Sequence, residues 1–220
     1  MRKSAQGLLA YLNHLFHADH PQRWRFDEDA LLGRFLADPR NSPNDLFGRN
    51  PLTPPKERSA LSYFEAWIRL HDIDGPTMAR FLDHGADPLT GSPIWPVAFR
   101  IIHGSDDPAP IALLLDAGLP LDATWGTDGW TLFHAASVFG SQERKSRLIP
   151  MLIERAVLAG RLDLLQAPST RNDQVSPVTP MDVALQVNNW DTVQQFCQHV
   201  PPSERVQEDR KFRRVDPLAA

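Results

Sequence analysis

Three histidines near the start of the chain, His14, His17 and His20, recur at intervals of three with Asp19 among them. On a helix, residues three apart face the same way, and imidazole with carboxylate is a ligand set for zinc. A metal site needs three or four converging ligands, and the sequence announces no others. The expectation is a solvated helix face without metal; a metal-dependent hydrolase built on these histidines is the alternative from another functional class. Cys197 lies close to His199 and has the chemistry of a nucleophile, yet its place in an apolar series favours a small buried hydrophobe. Asp72 with Asp74 and Asp106 with Asp107 are paired carboxylates. Both pairs fall in expected turns, where solvation keeps every member ionised and none becomes a general acid. No Gly-rich phosphate loop and no H-E-x-x-H occurs. The chain is therefore expected not to be an enzyme and to need no cofactor.

The stretch GWTLFHAASVFG, Gly129 to Gly140, sets Thr131 and His134 ahead of the small residues Ala135, Ala136 and Ser137. Thr131 is suited to cap a helix by accepting from an early backbone N–H, and the His134 ring nitrogens can bond neighbouring backbone, a structural role rather than that of a base. The small residues then make a narrow helix that admits another helix closely. The design recurs from Thr179 in TPMDVALQVNN, with Pro180 at the first helical position, and more weakly from Ser92 in SPIWPVAF and Ser59 in SALSYFEA. Each start is followed by a second helical series: Met78, Phe81, Leu82; Ile111, Leu114, Leu115; Ile149, Leu152, Ile153; and Val193, Phe196, Cys197. The offsets from cap to first apolar residue are 19, 19, 18 and 14. Gly85 and Gly118, which are 33 residues apart as are Ser59 and Ser92, fall where left-handed C-caps are expected.

With DGWTLFHAASVFG and LDHGADP as its strongest matches, the region of about residues 59 to 200 resembles the ankyrin repeat family, whose pattern runs roughly G-x-T-P-L-H-x-A-A-x-x-G, a second helix, then L-L-x-x-G-A-D. The resemblance implies an all-α ankyrin-repeat solenoid of about four helix pairs. Departures are local. Ser62 and Trp95 replace the family's histidine in two units, the first three units carry extra residues between their helices, and the connection from Ala156 to Thr179 is long enough for an additional helical turn. Residues 1–58 divide into helical segments, Leu8 to Phe16 and Asp27 to Leu36 with Ala30, Leu31 and Phe35 on one side, that would cap the array, and a Pro- and Asn-rich linker over 38–58. Residues 201–220 form a polar C-terminal tail expected to be a frayed helix or disordered.

Composition bounds the partners. The 220 residues carry 42% hydrophobic and 23% charged side chains, as a water-soluble globular protein does. No stretch approaches the about 18 apolar residues of a membrane span, and the opening MRKSAQGLLAYLNHLF lacks the uninterrupted apolar core and cleavage site of a signal peptide. With Cys197 alone no intrachain disulfide forms, so a cytoplasmic location is expected. Net charge is -4, but residues 59–140 hold ten acids against three bases. Such a centre repels nucleic acid and attracts a basic protein surface.

Ankyrin-like proteins bind with hairpin tips and the exposed sides of their first helices, and interface hot spots favour Trp, Tyr and Arg. The candidate partner-binding residues are accordingly Tyr63, Trp67, Trp95, Arg100, Asp122, Trp125, Asp128 and Trp130, with packing between repeats as the competing role of Trp67 and Trp95. The expected function is protein binding. Its most specific form is a bacterial immunity or antitoxin-like inhibitor that covers a toxin through an acidic concave face; the alternative is a secreted effector or adaptor that binds a host or cellular protein.

Overall fold

The computed structural model describes residues 7–8, 10–12, 27–49, 60–91, 96–105, 107–126, 128–139, 147–169 and 177–213. They are mostly helical, and they fall into two compact units: Met1–Ser92 with Pro96–Ile101 and Ala109–Leu119, and Pro93–Trp95 with Ile102–Pro108 and Pro120–Ala220.

In the first unit Asp27 caps helix α1 (Glu28–Leu36), its Oδ1 accepting from the Ala30 N–H at 2.9 Å, and Glu28 and Asp29 complement the positive end of the helix dipole. The buried stripe is Leu32, Phe35 and Leu36, so Ala30 and Leu31 flank the stripe in half-buried positions instead of forming it. Leu8, Tyr11 and Leu12 are fully buried beside this core. The expected linker contains a strand. β1 (Leu46–Arg49) pairs antiparallel with β2 (Ala60–Ser62), Leu46 opposite Ser62 and Arg49 opposite Ala60, with a bulge between Leu46 and Gly48. This small sheet is a local addition to a mostly helical chain, and it moves the first cap. β2 runs straight into α2 (Tyr63–Leu70), so the extended residue at the junction, Ser62, accepts the Glu65 N–H at 3.0 Å. Ser59 lies outside the described residues, as does Ser92.

Asp74 then caps α3 (Gly75–Asp83), with Pro76 in its first turn: its carboxylate accepts from the Thr77 N–H at 2.9 Å, and hydrogen bonding by the Thr77 side chain, then by its backbone, holds the Asp74 pKa below the usual carboxylate value. α4 (Val97–Gly104) and α5 (Ala109–Asp116) form the next pair, and α3 packs along α5. The second-helix series supplies the core as expected, with Met78, Phe81, Ile111 and Leu114 buried, while Leu82 and Leu115 are half-buried. Phe64 meets Phe81 with ring centroids 5.0 Å apart.

The second unit holds α6 (Leu132–Phe139), α7 (Leu148–Leu158), a 3-10 turn (Leu162–Leu165), α8 (Pro180–Gln186) and α9 (Trp190–Cys197). α6 packs on α8, and its small residues Ala135, Ala136 and Ser137 are all fully buried. The 3-10 turn is the extra helical turn expected in the long connection, and it buries Leu164 and Leu165. Cys197 is half-buried in the α9 series. The polar tail departs from a frayed segment: α10 (Glu204–Arg213) docks on α8, with Val206 fully buried and Ser203 Oγ donating to Asp182 Oδ1 at 2.6 Å. Among the described residues no helix is long and apolar enough to cross a membrane.

Gly85, Gly118 and Gly160 follow the second helices of the first three pairs with φ of 77°, 103° and 65°, the left-handed stop that glycine alone takes without strain. Nothing lies within 4 Å of a Cβ added at Gly118, whereas one at Gly91 would sit 2.8 Å from the Val97 nitrogen and 2.9 Å from the Pro96 Cα, both backbone. Gly118→Ala is expected to cost about 1 kcal/mol of strain, and Gly91→Ala at least about twice that. Urea unfolding followed by circular dichroism should order the two variants in that way.

Candidate partner-binding residues

The first turn of α6 is organised by a buried imidazole. The Thr131 backbone N–H points at His134 Nδ1 from 3.2 Å, and Thr131 Oγ1 lies 2.9 Å from the same nitrogen. On the other side Nε2 lies 3.0 Å from the Val178 carbonyl oxygen, just before the Thr179 cap of the next pair. A backbone N–H only donates and a carbonyl only accepts, so the neutral ring carries its proton on Nε2. Burial pushes the His134 pKa below its ordinary value, opposed by the bond to Val178 and by the charge of Asp182. Thr131 thus serves the ring, where a cap for the helix N–H groups was expected. Val178 O also accepts the Ser169 N–H at 2.8 Å, and Ser169 Oγ accepts the Val178 N–H at 3.1 Å.

This turn positions the hairpin that precedes it. Trp125 and Trp130 exchange backbone N–H···O bonds, both 2.9 Å, around Gly126 and Gly129, which take φ of 75° and 61°. The Trp130 ring stacks on His134 with centroids 5.8 Å apart, so much of its indole covers the buried network. Trp125 and Asp128 are half-buried on the hairpin. Asp122 is exposed but bonded: Arg161 Nη1 lies 2.8 Å from its Oδ2, and Arg161 Nε lies 3.0 Å from Asp163 Oδ1. These bonds hold both carboxyls below the usual carboxylate range and raise the guanidinium pKa. Asp122 therefore brings a partner less negative charge than its side chain alone suggests.

In the first unit the structure corrects two candidates. Tyr63 and Trp67 are only 6% and 5% exposed. Tyr63 packs on Phe35 with centroids 4.6 Å apart, and Trp67 stacks on His71 at 4.2 Å with Tyr11 and Phe81 around it. The α2 face that carries them is turned into the core, so packing is what they do. Trp95 lies outside the described residues. Arg100 is half-buried on α4.

The chain matches no family model, no curated protein and no solved structure. What its residues can do therefore follows from geometry. Of the eight candidates, Trp125, Asp128 and Trp130 are brought together on the hairpin, with Asp122 in the same unit, while Arg100 belongs to the other unit. Sequence reasoning missed Arg161, which lies 39 positions from Asp122. No local pattern in the sequence announces that pairing. His14, His17, His20 and Asp19 lie outside the described residues, among which no three His, Cys, Asp or Glu side chains converge on a metal position.

The imidazole makes a pH prediction. Its folded pKa lies below the unfolded value of about 6.5, so under acid the unfolded chain binds the proton first. Stability of the second unit should fall as pH drops below about 6.5. His134→Leu should cost about 2 kcal/mol at pH 7.5, because it strands the buried Thr131 N–H, and should flatten the dependence on acid. Thermal melts of both proteins from pH 7.5 to 5 check this.

Proposed function

We propose that both units are built of divergent ankyrin-like repeats, two helix pairs in each, and that the chain is a protein-binding module. One observation carries this reading: the Thr131–His134 turn bonded forward to the Val178 carbonyl, which ties one helix pair to the start of the next as a repeated unit requires. Left-handed glycines after the second helices and a two-tryptophan hairpin ahead of α6 support it. Repeats of this kind leave hairpins and helix faces to function, and a half-buried indole on a glycine-flanked hairpin is the sort of group that anchors an interface.

The partner surface on the second unit is then Trp125 with Asp128, flanked by the outer edge of Trp130. A narrower form is an immunity-type inhibitor of a basic toxin inside the cytoplasm, supported by the acid surplus of residues 59–140. An inhibitor of that kind should rescue cells from the toxin encoded beside it; an adaptor should not.

Reciprocal backbone bonds between Trp125 and Trp130 close the hairpin, and a side-chain substitution leaves those donors and acceptors in place. Trp125→Ala combined with Asp128→Lys is expected to reduce capture of the native partner from cell lysate at least about tenfold, with helical circular dichroism and melting temperature nearly unchanged. Undiminished capture by the double variant would defeat the assignment of the hairpin as the partner surface.

A further inference from the structure

Arg100 presents an unmet electrostatic demand within the first unit. Its Nε–H is shut away from solvent with no hydrogen-bond partner, and among the described residues nothing pairs with the guanidinium. Glu65 is near enough to be felt, but its carboxylate is committed to Arg69, whose Nη2 lies 2.6 Å from Oε1. Arg69 in turn repels Arg100. Among the described residues, two guanidinium groups against one carboxylate leave the cluster with surplus positive charge. Burial and this repulsion both push the Arg100 pKa below its ordinary value.

We propose that Arg100 receives a carboxylate of the protein partner, an Asp or Glu side chain or a chain terminus. An uncompensated charge on a half-buried side chain weakens the fold, and an external anion removes that penalty. With Nε covered, a carboxylate would meet the two Nη groups, a planar pair of donors that matches it in two parallel hydrogen bonds. A polyphosphate chain is disfavoured because residues 59–140 hold ten acids against three bases, whereas a single carboxylate meets the cation locally. The site deepens the protein-binding reading and rests on it for the source of the carboxylate.

The test uses the full chain labelled with 15N-arginine, the Arg100 Nε–H resonance being assigned by its loss in Arg100→Met. Titration with N-acetyl-glutamic acid α-amide, which has one carboxylate, should shift that resonance saturably. N-acetyl-glutamine amide, which has none, should leave it unmoved, and inorganic phosphate should bind at least about tenfold more weakly. Arg100→Met, which removes the uncompensated charge, should melt no lower than the wild-type chain. No saturable shift, or a lower melting temperature for Arg100→Met, overturns the site; phosphate binding as tight as carboxylate overturns the choice of anion in favour of a phosphate-bearing partner. A saturable shift together with failure to capture any protein through the hairpin defeats the protein-binding reading and leaves the carboxylate site standing. Capture without a shift does the reverse.

Discussion

Between the Thr131 N–H and the Val178 carbonyl stands a single ring, and the second unit is arranged around it. His134 is wholly buried, yet both of its nitrogens have partners, so the desolvation of a polar side chain is offset by bonds that only one tautomer can make. Apolar contact between α6 and α8 is non-directional and would tolerate a range of offsets. The imidazole does not, because its donor and acceptor sites are fixed relative to each other. Around it Trp130 closes one side, and Ser137 and Asn189 extend the polar contact along the same helix: Ser137 Oγ donates to Phe133 O at 2.8 Å and Asn189, the cap of α9, donates to Ser137 O at 3.4 Å.

Charge is redistributed by folding in the same local way. The acid-rich stretch looks uncompensated when counted along the chain, but several of its acids are committed within their own unit. Arg161 lies between Asp122 and Asp163, Glu65 spends its charge on Arg69, and Asp74 turns its carboxylate to a helix end. Arg80 is the converse, a base of the acidic stretch paired with Asp29 of the first helix. Sequence counts alone therefore do not say which charges are committed, and Arg100 is left as a positive point within the stretch.

How much of this was legible depended on whether the information was local. The Thr179 cap, with its reciprocal Asp182 bond, follows from a four-residue pattern, as do the second-helix series and the glycine stops. Ser62 displaced Ser59 as the first cap because β1 pairs with β2, a long-range event that no helix periodicity announces. Tyr63 and Trp67 look the same on a helical wheel whether a face meets solvent or a neighbour; only the packing of Phe35 and Tyr11 against them decides. The docking of α10 was hidden for a related reason, since Val206 and Ser203 make their contacts from within a mainly polar segment.

The reciprocal bonds between Ser169 and Val178 have a separate consequence. They clamp the two ends of the intervening stretch, so the carbonyl that His134 uses is held from its own side of the clamp. The acceptor is thereby placed by bonds at Ser169 and Val178 themselves, independent of the residues that separate the two in sequence. In an evolving lineage Ser169 is then tied to His134 through a shared carbonyl, so a change at the serine would be felt at the imidazole.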